Sequence, residues 1–157
     1  MTPGTAPTAR SGELTVRRLT EDDRPALYDL RLRILRPGRP PEAAIFAGDD
    51  LPTTIHIGAF LANGQCVGIA TLVENNGLQL RGMAVDDTVQ GQGVGAAILR
   101  EAYRAAAEAG HDAIWCNART SAAGFYEKQG WVRISDEFSI PDVGPHYKMT
   151  KSLVASA

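Results

Sequence analysis

The alternation of apolar and polar positions predicts a strand, a helix and three antiparallel strands in the first half of the chain. Residues 13–19 alternate with the period of a strand, and apolar side chains between residues 27 and 34 recur with the period of a helix. Three β-rich runs follow, at residues 54–61, 66–73 and 78–85. Asn63-Gly64, a dipeptide typical of hairpin turns, joins the first two. The proline-rich stretch before them is expected to be a loop with one short helix near residues 42–46.

The second half predicts a helix, a buried strand, a second helix and a final pair of strands. Apolar side chains between residues 98 and 106 form the stripe of a helix that ends near Gly110. Residues 113–116 are all apolar, as is typical of a buried parallel strand. A short helix at 121–129 then precedes two antiparallel strands, at 131–138 and 147–153. The order predicts an α/β (α+β) fold with a mixed, mostly antiparallel central sheet flanked by helices.

Composition narrows the class of protein. A chain of 157 residues with 44% apolar and 22% charged residues fits one globular domain, expected over residues 13–157 behind a flexible tail at residues 1–12. The net charge of -2 gives no general attraction to nucleic acid or an anionic membrane. Cys66 and Cys116 lack metal-ligand spacing, so no metal is predicted and both are expected to be packing residues. Without an apolar span or signal core, the chain is expected to be cytoplasmic.

The loop before the first long helix, QGQGVGAAILR from residue 90, is unusually rich in glycine. A helix start leaves its first four N–H groups unpaired and carries partial positive charge. Gly91, Gly93 and Gly95 either provide backbone angles that only glycine adopts readily or let a ligand approach the backbone closely. We favour close approach, with a phosphate as the ligand.

Two other phosphate-binding patterns fit poorly. The phosphate-loop NTPase motif needs Lys followed by Ser or Thr, and Ala96-Ala97 stand there instead. The dinucleotide-binding fingerprint needs a tight turn in a parallel unit and an acidic residue after the next strand, where this chain has Asn117. A glycine loop that only packs tightly against the sheet stays open as an alternative.

Two segments resemble the GNAT superfamily of N-acetyltransferases. Gln90, Gly93 and Gly95 match its signature Gln/Arg-x-x-Gly-x-Gly/Ala between a strand and a helix. Asn117 and the later segment 125–131 resemble its second signature, in which Trp at 131 replaces the usual Phe. The resemblance implies a GNAT-like acyl-CoA N-acyltransferase fold and transfer of an acetyl group from acetyl-CoA directly to a primary amine. A non-catalytic acetyl-CoA-binding sensor or structural protein on the same fold is the alternative.

The resemblance also implies where acetyl-CoA binds. The pyrophosphate is expected on the backbone amides of the glycine loop, and the pantetheine arm beside the third β-rich run as an added strand. Gly82 within that run is expected to mark a bulge that frees an N–H to polarise the acetyl carbonyl, or else to make room for a bulky neighbour. The predicted cofactor-binding residues are Met83, Ala84, Val85, Gln90, Gly91, Gln92, Gly93, Val94, Gly95, Ala96, Asn117 and Tyr126.

Tyr126 is the candidate general acid. A phenol with a pKa of about 10 stays protonated at neutral pH and can protonate the departing thiolate, although a buried tyrosine could also serve only the core.

The general base is less clearly marked. Some family members place a Glu where this chain has Gln79. His146, in the final hairpin near the acceptor, is the candidate base, and a water relay is also open. The other candidates are His56, Glu74 and Glu137.

Arg81 lies in an apolar strand and needs a partner when buried. We expect an internal salt bridge, for example with Glu74, ahead of a substrate carboxylate. His56, Arg81 and His146 are the candidate residues for the acceptor, a small-molecule or peptide amine. No nucleic acid or membrane partner is expected, and a homodimer is compatible with the sequence.

Overall fold

The computed structural model describes residues 13–154, and the tail predicted at 1–12 lies outside this part of the chain. Its strands form one sheet and are β1 (Leu14–Arg18), β2 (Ile55–Leu61), β3 (Cys66–Glu74), β4 (Leu78–Val85), β5 (Ala113–Arg119), β6 (Val132–Arg133), β7 (Phe138–Ile140) and β8 (Gly144–Ser152). The sheet order is β1-β2-β3-β4-β5-β8-β6, and β7 also pairs with β8. Among the described residues only β4 and β5 pair in parallel, so the predicted mixed, mostly antiparallel sheet is confirmed.

Helices cover both faces of this sheet. They are α1 (Arg24–Leu30), α2 (Val94–Glu108) and α3 (Ala123–Lys128), and α1 continues into a wider π-helical turn, Arg31–Leu35. The α1 face is defined by Leu27 and Leu30, which pack against Ile69 and Ala84. The opposite α2 face carries the larger core, to which α2 contributes Ile98 and Leu99.

β4 and β5 pair in register at a single position. Gln79 and Trp115 are their one registered pair within the described residues, and beyond it the two strands separate. β5 is longer than predicted and continues past Cys116 to Arg119, so Asn117 lies inside the strand, opposite Lys148. The separation leaves an edge of β4 open in the middle of the sheet.

The final hairpin differs from the prediction. The run at 131–138 forms no single strand; β6 and β7 pair separately with β8, which begins earlier than expected, at Gly144. A side chain interrupts the ladder between them, because the Ser135 hydroxyl accepts the Lys148 amide hydrogen bond at 2.8 Å. The predicted loop shrinks to a tight turn containing Asp142, whose φ is 66°.

A buried ion pair fastens the loop after α1 to the sheet. The side chains of Arg31 and Asp49 are only 0% and 2% exposed, and their bidentate contacts measure 2.7 and 3.0 Å. Arg31 also donates to the Ala44 carbonyl at 2.7 Å and to Thr71 Oγ1 on β3 at 2.9 Å, and its guanidinium lies 3.8 Å from the ring centroid of Phe46. These bonds offset much of the cost of burying two charges.

His56, a candidate residue for the acceptor, belongs to this buried network. Its Nε2 lies 3.0 Å from the Asp49 carbonyl oxygen, and its Nδ1 lies 2.8 Å from Thr71 Oγ1. Because a carbonyl can only accept, Nε2 carries the hydrogen and Nδ1 accepts from the hydroxyl. Both ring nitrogens are therefore occupied in the neutral form, and burial lowers the pKa of His56 below its usual value.

Asp49→Asn should destabilise the protein strongly, because it leaves the Arg31 charge buried without its carboxylate. We expect a loss of roughly 3–5 kcal/mol in the free energy of unfolding, measured by urea denaturation. The control is Asp50→Asn, whose 81% exposed carboxylate pairs with Arg24 at the surface and should cost less than about 1 kcal/mol. Equal losses in the two variants would contradict the assignment.

Stability should also depend on pH through His56. Its folded-state pKa is lowered, so protonation favours the unfolded chain. The stabilising contribution is fully present above the unfolded pKa of about 6.5 and is lost as the pH falls towards the folded-state pKa. His56→Gln removes this titration. The unfolding free energy of the parent should therefore fall more steeply than that of the variant between about pH 7.5 and about pH 5.5; parallel curves would refute a neutral buried His56.

Candidate active site

A cavity of about 930 Å³ opens where β4 and β5 separate. Side chains and backbone from both faces of the sheet line it, including the β4 segment 79–85 and the β5 segment 116–119. His56 does not line it. Residues 91–96, which follow the lining residue Gln90 in the chain, do not line it either. The predicted site residues that line the cavity are Arg81, Met83, Ala84, Val85, Gln90, Asn117, Tyr126 and His146.

Gly82 forms the predicted bulge in β4. Ile69 pairs with Ala84 while Thr71 pairs with Arg81, so Gly82 and Met83 together face one residue of β3. Gly82 has a φ of +63°, and a Cβ there would lie 2.9 Å from a ring carbon of Phe46. The bulge and the bulky neighbour, which the sequence left as alternatives, therefore occur together. The extra residue turns Met83 towards the α2 face and frees backbone beside the cavity.

The edge of β4 that faces β5 is available to a ligand. Past Gln79, no strand of the described structure pairs with this edge. The Val85 carbonyl at its end accepts a hydrogen bond from Gln90 Nε2 at 3.1 Å, which ties the glycine loop to the strand. An extended ligand can add to such an edge through its amides.

The glycines of the loop have two different roles. Gly91 and Gly93 have φ values of +81° and +84°, so they provide backbone angles that other residues rarely adopt. A Cβ on Gly95 would lie 3.1 Å from Phe125 and 3.3 Å from Met83, so this glycine allows close helix packing. The turn from strand to helix and the packing of α2 each give a reason for these glycines, and the close approach of a phosphate to the loop stays a prediction.

The loop nevertheless presents free amides at the start of α2. The first hydrogen bond into the helix runs from the Ala97 amide to the Gly93 carbonyl, at 3.1 Å. The amides of Val94, Gly95 and Ala96 consequently have no carbonyl partner within α2. Because α2 has fifteen residues, its dipole adds partial positive charge at these groups. These amides lie a few residues beyond Gln90, which lines the cavity, and they suit an anion.

Tyr126 reaches the cavity from the α2 face. Its ring packs edge-on against Trp131 and Phe125, with centroid distances of 5.1 and 5.3 Å. Its hydroxyl lies 3.7 Å from Met83 Sδ, a weak acceptor, next to the bulge. Burial raises the pKa of Tyr126 above its ordinary value, which keeps the hydroxyl protonated and able to donate.

His146 reaches the cavity from the opposite side. It pairs in register with Arg119, whose Nη2 donates to the Leu35 carbonyl after α1, so both belong to the α1 face. The His146 ring stacks on Phe138 at 6.0 Å, and its Nδ1 lies 2.8 Å from the Gly144 carbonyl oxygen. A carbonyl can only accept, so Nδ1 carries the hydrogen and Nε2 is left with a free lone pair in the neutral ring.

The predicted Arg81–Glu74 salt bridge is wrong. Glu74 pairs with Leu78 of β4, three residues from Arg81, so the two side chains project from opposite faces. The Glu74 carboxylate lies 3.7 Å from His111, and Arg81 donates to the Ala47 carbonyl at 2.9 Å. No Asp or Glu lines the cavity within residues 13–154. Three other arginines that were not predicted also line the cavity: Arg36, Arg39 and Arg119.

Neither a metal centre nor a membrane-spanning helix is found within residues 13–154. In the described part of the chain, no cluster of three or more His, Cys, Asp or Glu side chains could hold a metal ion. Over the same residues, no helix combines the length and apolar character needed to cross a membrane.

Known proteins are similar to this chain in sequence and in fold. Residues 53–153 match the acetyltransferase (GNAT) domain family. N-acetyltransferase YitI of Bacillus subtilis (strain 168), described as uncharacterized, is 35% identical over 137 residues, which cover 82% of this chain and 91% of YitI. Escherichia coli ElaA superimposes with a TM-score of 0.75 at 17% identity, covering 89% of this chain and 99% of ElaA. An aminoglycoside 6'-N-acetyltransferase solved with coenzyme A superimposes with a TM-score of 0.73 at 15% identity, covering 91% and 99%. The chain belongs to the GNAT family of N-acetyltransferases and is an acyltransferase enzyme.

Proposed function

We propose that the enzyme transfers the acetyl group of acetyl-CoA directly to a primary amine. The observation that carries this proposal is that a buried hydroxyl and a free imidazole nitrogen lie on opposite sides of one cavity. Tyr126 reaches it from the α2 face and His146 from the α1 face, beside the open edge of β4. A donor for the leaving thiolate and an acceptor for the amine proton are the two groups that this reaction requires.

The residues that would hold acetyl-CoA follow the edge of β4 and the start of α2. The backbone of Met83, Ala84 and Val85 suits the amides of the pantetheine arm, and the amides that open α2 suit the pyrophosphate. Backbone N–H groups freed by the Gly82 bulge could polarise the acetyl carbonyl. Asn117, exposed on β5 across the separation, makes no side-chain hydrogen bond to other described residues and is available to the ligand.

The proton transfers balance between the two side chains. The amine nitrogen attacks the thioester carbonyl carbon, forming the N–C bond, and the C–S bond then breaks. At neutral pH the amine arrives as an ammonium ion, so its nitrogen loses two protons. Nε2 of His146 accepts the first before the attack and passes it to solvent, and it accepts the second as the N–C bond forms. The Tyr126 hydroxyl gives a proton to the departing sulfur. Exchange with solvent afterwards removes the proton from His146 and restores the one on Tyr126.

Direct transfer is favoured over a covalent intermediate by the state of Cys116. This thiol lines the cavity, but it is 3% exposed, and burial raises its pKa to about 12. The thiolate is the reactive form of cysteine, so Cys116 is a poor nucleophile at neutral pH.

Tyr126→Phe should slow the chemical step strongly while leaving acetyl-CoA binding intact. The change keeps the packed ring and removes only a hydroxyl whose protein contact is weak. We expect acetyl-CoA affinity close to that of the parent and a single-turnover rate lower by roughly a hundredfold. Full single-turnover activity would remove Tyr126 from the mechanism.

Tyr103→Phe provides the matched control. Its hydroxyl accepts a hydrogen bond from Trp131 Nε1 at 2.8 Å, away from the cavity lining. This variant should lose some stability and keep its turnover rate. An equal loss of turnover in both variants would contradict a specific role for the Tyr126 hydroxyl.

His146→Asn should impair catalysis in a pH-dependent way. The asparagine amide can still donate to the Gly144 carbonyl, but the variant has no Nε2 to accept a proton. At neutral pH kcat/KM should fall by roughly tenfold to a hundredfold, and the deficit should shrink as the pH approaches the amine pKa of about 10. His111→Asn, outside the cavity, is the control. A constant deficit across the pH profile would argue against His146 as the base.

A further inference from the structure

Four arginines line the α1 side of the cavity without any carboxylate among the lining residues. Arg36 and Arg39 come from the loop after α1, Arg81 from β4 and Arg119 from the end of β5. Arg36 and Arg81 are half-buried, whereas Arg39 and Arg119 are exposed. A concave site lined by charges of one sign concentrates ligands of the opposite sign.

These four guanidinium groups are unpaired, in contrast to most other arginines of the described chain. None of the four lies within 4.0 Å of a carboxylate of residues 13–154. Arg81 and Arg119 each donate one hydrogen bond to a backbone carbonyl, of Ala47 and Leu35, which leaves their other N–H groups available. The arginines that do pair with carboxylates are Arg17, Arg24, Arg31, Arg33, Arg104 and Arg133.

The cluster also repels itself. Burial lowers the pKa of Arg36, and the positive charges of Arg39, Arg119 and Arg31 lower it further. Keeping like charges together costs free energy unless an anion neutralises them. Arginine binds carboxylate and phosphate groups through two parallel N–H bonds, so these groups are the natural counterions.

In the proposed binding mode, the pyrophosphate of acetyl-CoA does not account for this charge. The amides suited to the pyrophosphate open α2, whose side chains pack on the opposite face of the sheet. Arg81 and Arg119 lie on the α1 face with His146, where the amine must approach if His146 accepts its proton. The arginines therefore surround the acceptor end of the cavity.

We infer that the acceptor is a small amine that also carries a carboxylate or phosphate group, which the four arginines bind while the amine faces His146. This inference rests on the proposed acetyl transfer and specifies its substrate class. Arg81 then has no internal anionic partner to lose, so Arg81→Met should leave the melting temperature almost unchanged.

Matched pairs of amines test the inference with the full chain. Coenzyme A release would be compared for β-alanine against β-alaninamide and L-aspartate against its diamide, and for 2-aminoethyl phosphate against ethanolamine. The anionic member should have kcat/KM at least roughly tenfold higher, as expected for one charged hydrogen-bonded contact. The amino acid amides have the more easily deprotonated amines, so intrinsic reactivity works against this result. The first two pairs report carboxylate recognition and the third reports phosphate recognition.

Variants then locate the recognition. Arg81→Met and Arg119→Met should reduce the anionic-to-neutral ratio by roughly tenfold each, mainly through KM. Arg100→Met, on the exposed side of α2 and outside the cavity, should leave the ratio unchanged. Equal or better use of the neutral amines by the parent would overturn the inference while leaving acetyl transfer intact.

Binding measurements separate this inference from the proposed function. If the parent turns over none of these amines, the probes are titrated calorimetrically into protein saturated with coenzyme A. Tighter binding of L-aspartate or 2-aminoethyl phosphate than of the neutral partner, weakened by Arg81→Met, would support the anion site even if the proposed catalysis failed. Equal or undetectable binding of both members would refute it.

Discussion

The structure depends on one feature of the described sheet: β4 and β5, two parallel strands in its middle, pair in register at a single position. A sheet normally satisfies its backbone groups by continuous pairing, yet β4 and β5 pair only at Gln79 and Trp115. The open edge of β4 and the cavity both follow from this separation. It also lets side chains from opposite faces, such as Tyr126 and His146, reach one space. A continuous sheet would keep them apart.

Two local features keep this opening in shape. The bulge at Gly82 changes the direction of the β4 side chains, so that Met83 meets Tyr126 while Ala84 packs beneath α1. Arg31, fixed by Asp49, lies directly over the bulge, with its Nε 3.4 Å from the place where a Gly82 Cβ would be. The buried ion pair thus supports the strand that borders the cavity, although neither of its members lines the cavity.

The sequence predicted those features that depend on residues close together in the chain. Alternation, helical stripes and turn dipeptides were sufficient for most strands and helices. The bulge was expected from Gly82 only together with the family resemblance, and a bulky neighbour was left open as the alternative. The broken final hairpin was missed because a single hydroxyl, on Ser135, replaces a backbone acceptor. The buried charge was assigned to Arg81 because its strand is apolar, but burial depends on what covers each face. Arg31 continues the buried helical stripe from Leu27, a signal that was present and overlooked.

The arginine cluster has an effect on the chemistry as well as on recognition. An ammonium group that enters beside Arg36, Arg81 and Arg119 meets like charge, and like charge lowers the pKa of a cationic acid. The same side chains that hold the anionic part of an acceptor would therefore make its nitrogen easier to deprotonate. A weak base such as the His146 imidazole would then be sufficient, although no carboxylate lines the cavity within residues 13–154. In place of acidic side chains, the positive charge of the cleft would then favour the uncharged amine.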